Sequence, residues 1–264
     1  MEKMKILWRK EYVRNLFESA LSFDMKKKLS KRLFRGKTAY IFAAAPSLNH
    51  VDIKRMENEL SDNLVISIKQ SVEVTKAYTD FMLINFCNLT DFDWQSITAP
   101  VFWTTFDDNH PSIINENNFK CDETFKATGN GKNNAVGFAN STAGAKRWSN
   151  LLELEEGIIK WGPGLMYELA LPLAIHFGVR KICLVAWDIG KLSDDKEAFV
   201  NEHFYDSSRI KNKMKINDTE IEVVSKSTES LFEWLKNENI ELSVVSPSSL
   251  VSVKVKRENK WLKK

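Results

Sequence analysis

Short apolar segments alternate with polar ones along the first hundred residues, and this pattern predicts a parallel α/β sheet. Four runs of apolar and β-branched residues indicate buried strands, at 38–43, 64–68, 81–85 and 101–105. Polar segments of helical length lie between them, at 51–60 and 69–78. Strands that alternate with helices over short connections are typical of β-α-β units.

The same pattern returns in the second half of the chain. An apolar, alanine-bearing segment at 165–177 predicts a helix that ends at Gly178, and Pro172 should kink this helix or mark its start. Strands follow at 181–186 and 242–245, and a helix from about residue 228 to 237 precedes the second of them. We therefore predict an α/β fold of Rossmann-like type, a mainly parallel sheet with helices on both faces.

Two polar segments interrupt this pattern and divide the chain. Residues 106–150 are rich in Asn and too long for an ordinary connection, so we expect a lid or another functional loop there, and 191–219 is a second polar insert. We predict a basic N-terminal helical segment (1–37), a nucleotide-binding domain that carries both inserts (38–251), and a basic C-terminal tail (252–264).

Composition excludes several classes of protein. The chain has 264 residues, is 43% hydrophobic and has three cysteines. The cysteines are scattered, so neither a disulfide framework nor a structural zinc site is expected. No apolar run approaches the ~20 residues of a membrane span, and the N-terminus lacks the apolar core of a signal peptide. We therefore expect a cytoplasmic protein.

Positive charge is concentrated at both ends of the chain. Residues 1–37 carry twelve Lys and Arg against four acidic residues, and 252–264 carry six against one. The first segment also has apolar residues at helical spacing, so a basic amphipathic helix could lie on an anionic lipid surface at the inner membrane face. The alternative is a helix that packs on its own domain or on a second subunit. Aromatic and basic residues are not interleaved along a strand, and we predict no nucleic-acid partner.

Turn-forming and polar clusters follow several of the predicted strands. In an open α/β sheet, ligands bind beyond the carboxyl ends of the strands, and an unpaired helix N-terminus can bind phosphate. Asp188 follows a strand, where a carboxylate can accept hydrogen bonds from ribose hydroxyls. The predicted nucleotide-binding residues are Ala44, Ala45, Pro46, Ser47, Lys69, Gln70, Asn85, Gly162, Pro163, Gly164, Asp188, Ser246, Ser248 and Ser249.

Four segments carry a resemblance to a known family: AAAPSLNHVDI (43–53), VISIKQS (65–71), the segment 162–190, and VVSPSSLV (244–251). Their order and spacing resemble the bacterial family-42 sialyltransferases and a wider group of sialyltransferase-like, Rossmann-type proteins. The resemblance implies a GT-A-like variant of the fold and an inverting glycosyltransferase that needs no metal or other cofactor. It implies a CMP-activated sugar acid as donor and a surface glycan or lipooligosaccharide as acceptor, hence lipopolysaccharide biosynthesis. It also implies membrane association through a basic C-terminal region.

This sequence departs from the family pattern at its most polar positions. Ala44 and Lys69 stand where the family carries Asn, and the family's base is a His that has no counterpart near Val224. His203 is the nearest His and is our candidate for the general base, because a group with a pKa near ~6.5 can take a proton at neutral pH. Tyr205 is our candidate for a partner of the leaving phosphate.

Three functional classes remain open at this point. The first is the CMP-sugar-dependent glycosyltransferase, and the second is a diphosphokinase-like pterin enzyme on the same scaffold, which would need ATP and Mg²⁺. The third is a non-catalytic module that binds a nucleotide or a glycan. No cluster of metal ligands with suitable spacing is present, so we predict no metal site. A homo-oligomer is compatible with all three classes.

Overall fold

The computed structural model describes residues 2–85, 92–105, 114, 119–127, 158–159, 165–189, 218–247 and 249–264. In these residues the chain forms one nine-stranded sheet in the order β6-β5-β4-β3-β2-β1-β7-β8-β9, and every strand pairing is parallel. The strands are β1 (Thr38–Phe42), β2 (Leu64–Ile68), β3 (Phe81–Asn85), β4 (Val101–Thr105), β5 (Glu123–Ala127), β6 (Ile158–Ile159), β7 (Lys181–Val185), β8 (Glu241–Val245) and β9 (Lys256–Arg257). The predicted Rossmann-like α/β class is confirmed.

The central strands are apolar throughout because both faces of the sheet are covered. Along β1, Ala39 and Ile41 face the larger core cluster, whereas Tyr40 and Phe42 face a second cluster on the opposite side. This arrangement explains why the strands appear in the sequence as continuous hydrophobic runs and not as alternating patterns.

Six helices of the described chain surround the sheet. They are α1 (Glu2–Glu18), α2 (Phe23–Phe34), α3 (Glu57–Asp62), α4 (Val72–Thr75), α5 (Leu171–His176) and α6 (Asp218–Asn237). A π-helical segment, Met166–Ala170, leads directly into α5, and Pro172 lies in the first turn of α5 as predicted. Gly178 has a φ of 74° and its N–H donates to the carbonyl of Ile175, which confirms the predicted helix end.

The basic N-terminal segment forms two helices whose apolar sides pack onto the sheet. Phe17 of α1 contacts Phe81 and Phe102, with ring centroids 5.3 and 5.1 Å apart respectively. Arg9 is buried, and its Nε donates to Asp80 Oδ1 at 2.8 Å. Of the two interpretations of this segment, packing on its own domain therefore holds for Val13, Leu16 and Phe17, whereas Leu7 and Trp8 of the same helix are exposed. No helix in the described ranges is long and apolar enough to cross a membrane.

Several element predictions were wrong. The polar insert at 106–150 contains β5, because the one aromatic residue of this strand, Phe125, is fully buried against Phe23 and Phe102. The short edge strands β6 and β9 carry too few residues for a recognisable pattern. Helix α6 begins at Asp218, ten residues before the predicted start. Ile221 and Val224 lie at helical spacing and extend the apolar pattern of the helix toward its N-terminus.

The basic C-terminal residues lie on the sheet and do not extend away from it. After β9, the backbone forms an isolated antiparallel bridge between Leu262 and Val51. Lys256 lies within 3.5 Å of Glu241 and 3.4 Å of Glu258, and Lys254 lies 2.9 Å from Glu229. The positive charge of this region is thus partly balanced within the fold.

Candidate functional site

The strand order defines where a ligand crevice should form. β1 lies between β2, which follows it in the chain, and β7, which comes much later. The chain therefore leaves β1 in one direction and returns on its other side, which makes the carboxyl ends of β1 and β7 the topological switch point of the sheet. Ligands of open α/β sheets bind in the crevice at such a point.

Asp188 joins three turns at this point. Its Oδ2 accepts a hydrogen bond from the backbone N–H of Ser47 at 3.2 Å, and its Oδ1 accepts from Ser47 Oγ at 2.5 Å. Ser246 Oγ also donates to Oδ1. We call these three residues the Asp188 clamp, since they tie the turns after β1, β7 and β8 to one carboxylate. We expected the turns around Ser47, Gly164, Asp188 and Ser248 to converge. Those of Ser47 and Asp188 meet here, whereas Gly164 and Ser248 lie outside the described residues.

The clamp changes the interpretation of Asp188. Its side chain is only 3% exposed, and both carboxylate oxygens already accept hydrogen bonds from serines of the fold. Charge-assisted hydrogen bonds of this kind are stronger than neutral ones. The carboxylate therefore has different partners from the ribose hydroxyls that we expected, and it acts on the site by holding the turns in place.

Further backbone contacts continue the clamp along β7 and β8. The N–H of Leu250 donates to the carbonyl of Asp188 at 2.8 Å, and Ser249 Oγ donates to the carbonyl of Trp187 at 2.6 Å. Upstream of the clamp, the predicted binding residues Ala44, Ala45 and Pro46 are all half-buried. This turn is thus partly exposed at the crevice, and the hydrogen bonds of Ser47 to Asp188 hold it in place.

Unusual backbone conformations occur at the same edge. Lys69, Ala186 and Ile189 have φ values of 53°, 55° and 56°, in the left-handed region that non-glycine residues rarely adopt. Lys69 directly follows β2, whereas the other two flank the turn that carries Asp188. Such conformations cost about 1–3 kcal/mol each and tend to occur at functional sites.

The turn after β2 brings two further predicted residues to this edge. Gln70 is fully buried next to Ser71, whose Oγ lies 2.9 Å from the carbonyls of both Phe42 and Ile68. These contacts connect the carboxyl ends of β1 and β2. Lys69 and Gln70, which we predicted to bind the nucleotide, therefore lie beside the β1 turn.

Two polar side chains at the ends of β3 and β4 stand out because each has an unpaired oxygen. Asn85 and Thr104 are register partners on neighbouring strands and are 3% and 0% exposed. Among the residues that the structure describes, neither Asn85 Oδ1 nor Thr104 Oγ1 has a hydrogen-bond partner. Buried polar atoms are nearly always paired, so this pair indicates a position where a ligand or water supplies the missing contacts.

An aromatic pair lies close to the clamp. The rings of Tyr167 and Trp187 meet edge to face with centroids 5.5 Å apart, and the Tyr167 hydroxyl lies 3.0 Å from Ser227 Oγ at the N-terminal part of α6. Burial raises the pKa of Tyr167, so this hydroxyl stays protonated at neutral pH. Sequence reasoning did not identify Tyr167 or Thr104, because an aromatic residue in an apolar helix and a β-branched residue in a strand both resemble ordinary core residues.

The remaining predicted site residues lie outside the described residues: Gly162, Pro163, Gly164, Ser248, His203 and Tyr205. Their roles stay predictions. Within the described ranges, no three His, Cys, Asp or Glu side chains come together as a metal site would require. The expected independence from metal likewise stays a prediction.

Comparison with known proteins gives no family assignment, since no family profile and no curated protein matches the chain. Among solved structures it is similar to the sialyltransferase CstII from Campylobacter jejuni, determined with the substrate analogue cytidine-5'-monophosphate. That match has 16% identity and a TM-score of 0.46, and covers 87% of this chain and 88% of the other. A second similar structure is the MAf glycosyltransferase from Magnetospirillum magneticum AMB-1. It has 10% identity and a TM-score of 0.45, and the match covers 94% of this chain and 38% of that protein. Likenesses at this level do not bear on what the chain does.

Proposed function

We propose that the chain is an inverting glycosyltransferase that takes its sugar from a CMP-activated sugar acid and needs no metal ion. The observation that carries this proposal is the Asp188 clamp, which draws the turns after β1, β7 and β8 together at the topological switch point of the sheet. The sequence resemblance to sialyltransferase-like proteins supports it, because each of its four segments contains residues of this edge.

The described residues suggest how a donor would be held. The half-buried backbone at 44–46 and the turn at 69–70 offer main-chain groups to the nucleotide. Neighbouring strands lie about 4.8 Å apart, so β3 and β4 are about 10 and 14 Å from β1 along the edge. A group bound by Asn85 and Thr104 is therefore at the other end of the donor from the part at β1. Sugar hydroxyls can both donate to and accept from these two side chains.

The chemical step requires a base and a stabilised leaving group. The acceptor hydroxyl gives its proton to His203, and its oxygen bonds to the anomeric carbon of the donor sugar. The bond from that carbon to the phosphate oxygen breaks, and its electron pair leaves with CMP. Tyr205 donates a hydrogen bond to the departing phosphate, which stabilises the developing charge.

A peripheral location on the inner membrane face is supported by α1, which exposes Met4, Leu7 and Trp8 at 73%, 66% and 60%. These residues recur at helical spacing, and α2 adds the exposed cations Lys28 and Arg32. Such a surface supports peripheral contact with anionic lipid, where a lipid-linked glycan acceptor would be found. Sedimentation with phosphatidylglycerol vesicles tests this part, and loss of pelleting in Trp8→Ser is the expected result. Equal pelleting of this variant and the parent protein would contradict it.

A thermal-shift screen tests the proposed activity directly. A ligand that binds only the folded state raises the melting temperature, so CMP is expected to raise it with or without Mg²⁺, whereas UDP, GDP and ATP are not. A shift with ATP and Mg²⁺ alone would indicate the pterin diphosphokinase class. CMP binding with no transfer of sugar from any CMP-sugar would indicate a binding module, and no shift with CMP would overturn the proposal.

A further inference from the structure

The last residues of the chain contact the loop that follows the Asp188 clamp. The N–H of Lys263 donates to the carbonyl of His50 at 2.8 Å, and its Nζ lies 2.7 Å from the carbonyl of Asn49. The N–H of Asp52 donates to the carbonyl of Trp261 at 2.9 Å. We call residues 259–263 the C-terminal strap, because they bind the loop 49–52 through two main-chain hydrogen bonds and one lysine side chain.

The strap is itself anchored at the far edge of the sheet. Its first residue follows Glu258, whose N–H donates to the carbonyl of Val244 in β8 at 2.9 Å. The Glu258 carboxylate lies 2.8 Å from Lys181 Nζ and 3.4 Å from Lys256 Nζ. These two lysines outweigh the effect of burial and keep the pKa of Glu258 below its ordinary value. The strap therefore joins a fixed point on β8 to the loop after β1.

The loop at 49–52 is the direct continuation of the β1 turn. Asn49 and His50 are exposed, so their own side chains do not fix the loop in the core. The backbone is continuous with the clamp, because the N–H of Leu48 donates to the carbonyl of Ala45 at 3.0 Å and that of Val51 to the carbonyl of Leu48 at 3.1 Å. A movement of the loop would thus be transmitted to Ser47 and to the half-buried residues before it.

We infer that the C-terminal strap is a positioning element of the nucleotide site, which holds the β1 turn in the conformation that binds the ligand. This inference rests on the proposed function, since it concerns the same crevice. It also assigns the C-terminal residues a role in the fold that differs from the membrane contact implied by the sequence resemblance.

Lys263→Pro tests the strap, because proline lacks the N–H that donates to His50 and also removes the Nζ contact with Asn49. The loss of two hydrogen bonds at a site whose geometry matters should weaken CMP binding about tenfold, measured by calorimetry. Lys263→Ala keeps the N–H and should lose less affinity. Lys264→Ala, at a neighbouring exposed lysine, is the matched control and should bind CMP like the parent protein.

A second readout separates positioning from general stability. Lys254→Ala removes ion pairs to Glu229 and Glu233 of α6 and touches neither the loop nor Glu258, so it should lower the melting temperature slightly and leave CMP affinity unchanged. In Lys263→Pro, the amides of Val51 and Asp52 should exchange hydrogen faster while those of β7 and β8 do not. Unchanged exchange at these two amides, or equal affinity losses in the proline and Lys254→Ala variants, would overturn the inference. Failure of the parent protein to bind CMP would instead refute the proposed function, and the exchange data would still decide the role of the strap.

Discussion

Replacement of Thr104 by valine should stabilise the ligand-free protein, although it removes a polar group from the candidate site. The Thr104 hydroxyl is fully buried at the end of β4 and has no hydrogen-bond partner among the described residues. Valine has nearly the same shape, so the change replaces an unpaired hydroxyl with a methyl group and leaves the strand intact. Thr→Val in a core usually lowers the free energy of unfolding. At Thr104 we expect the same substitution to raise it.

The magnitude follows from the cost of the unpaired group. A buried donor or acceptor without a partner costs about 1–3 kcal/mol. Burial of a methyl group in its place adds to the gain, whereas imperfect packing subtracts from it. We expect the free energy of unfolding to rise by about 1 kcal/mol. For a domain of this size that corresponds to an increase in melting temperature of roughly 2–4 °C.

Urea unfolding of the parent and variant proteins measures this change, and Thr79→Val is the matched control. Thr79 is also buried, but its Oγ1 lies 2.7 Å from Ser67 Oγ and 3.0 Å from the carbonyl of Thr75. The control should lose about 1 kcal/mol because it leaves these partners unpaired. If Thr104→Val lost stability as the control does, its hydroxyl would have a structural partner, and the argument for a ligand at Asn85 and Thr104 would be refuted.

Four further predictions follow from named contacts. Arg9→Leu should lower the free energy of unfolding by about 3–5 kcal/mol in urea, because it leaves Asp80 buried without its cation; adding Asp80→Asn should restore part of this loss, and no restoration would argue against the ion pair as the cause. Burial raises the pKa of Glu258, but the two neighbouring lysines lower it by more, so the pKa in the folded protein is below its ordinary value. The carboxylate therefore stabilises the fold above about pH 5, and this stabilisation is lost as the pH falls through the lowered pKa. Glu258→Gln should therefore flatten the acid side of a plot of melting temperature against pH, and an unchanged acid limb would contradict this assignment. Asp188→Ala removes the acceptor of three hydrogen bonds, so it should both destabilise the protein by about 3 kcal/mol and weaken CMP binding; a loss of affinity without loss of stability would instead indicate direct contact with ribose. His203→Ala should reduce the rate of sugar transfer about 10²–10⁴-fold with the fold intact, and a change below tenfold would remove it as the base.

The strands that could be predicted are those whose burial is complete. β1, β2, β3, β4, β7 and β8 lie inside the sheet or next to its centre, and full burial on both faces requires apolar residues at nearly every position. β6 and β9 are the edge strands and have only two residues each, and β5 has a single large apolar residue, Phe125. Such strands form because a neighbour offers hydrogen-bonding groups, which leaves little trace in their own sequence.

The sequence could predict which backbone turns form the candidate site, but not which side-chain atoms bind one another there. Turn-forming residues predicted that the turns around Ser47, Gly164, Asp188 and Ser248 converge. The turns of Ser47 and Asp188 do meet, and Ser246 joins them, whereas Gly164 and Ser248 lie outside the described residues. The pattern could not show that Asp188 would bind the serines of its own fold, because that depends on side-chain geometry across three strands. The burial of Arg9 was not predicted for a related reason. A charged residue in a basic segment is usually solvated, and the sequence pattern does not show that the fold brings Asp80, 71 residues away, into contact with it.

The most direct test of the central claim is a crystal structure of the chain with CMP. We expect electron density for the nucleotide at the carboxyl ends of β1 and β7, in contact with the backbone of Ala44 and Ala45 and above an intact Asp188 clamp. Density for CMP at the opposite edge of the sheet, or a clamp whose serines have turned to bind the nucleotide, would contradict the proposed arrangement.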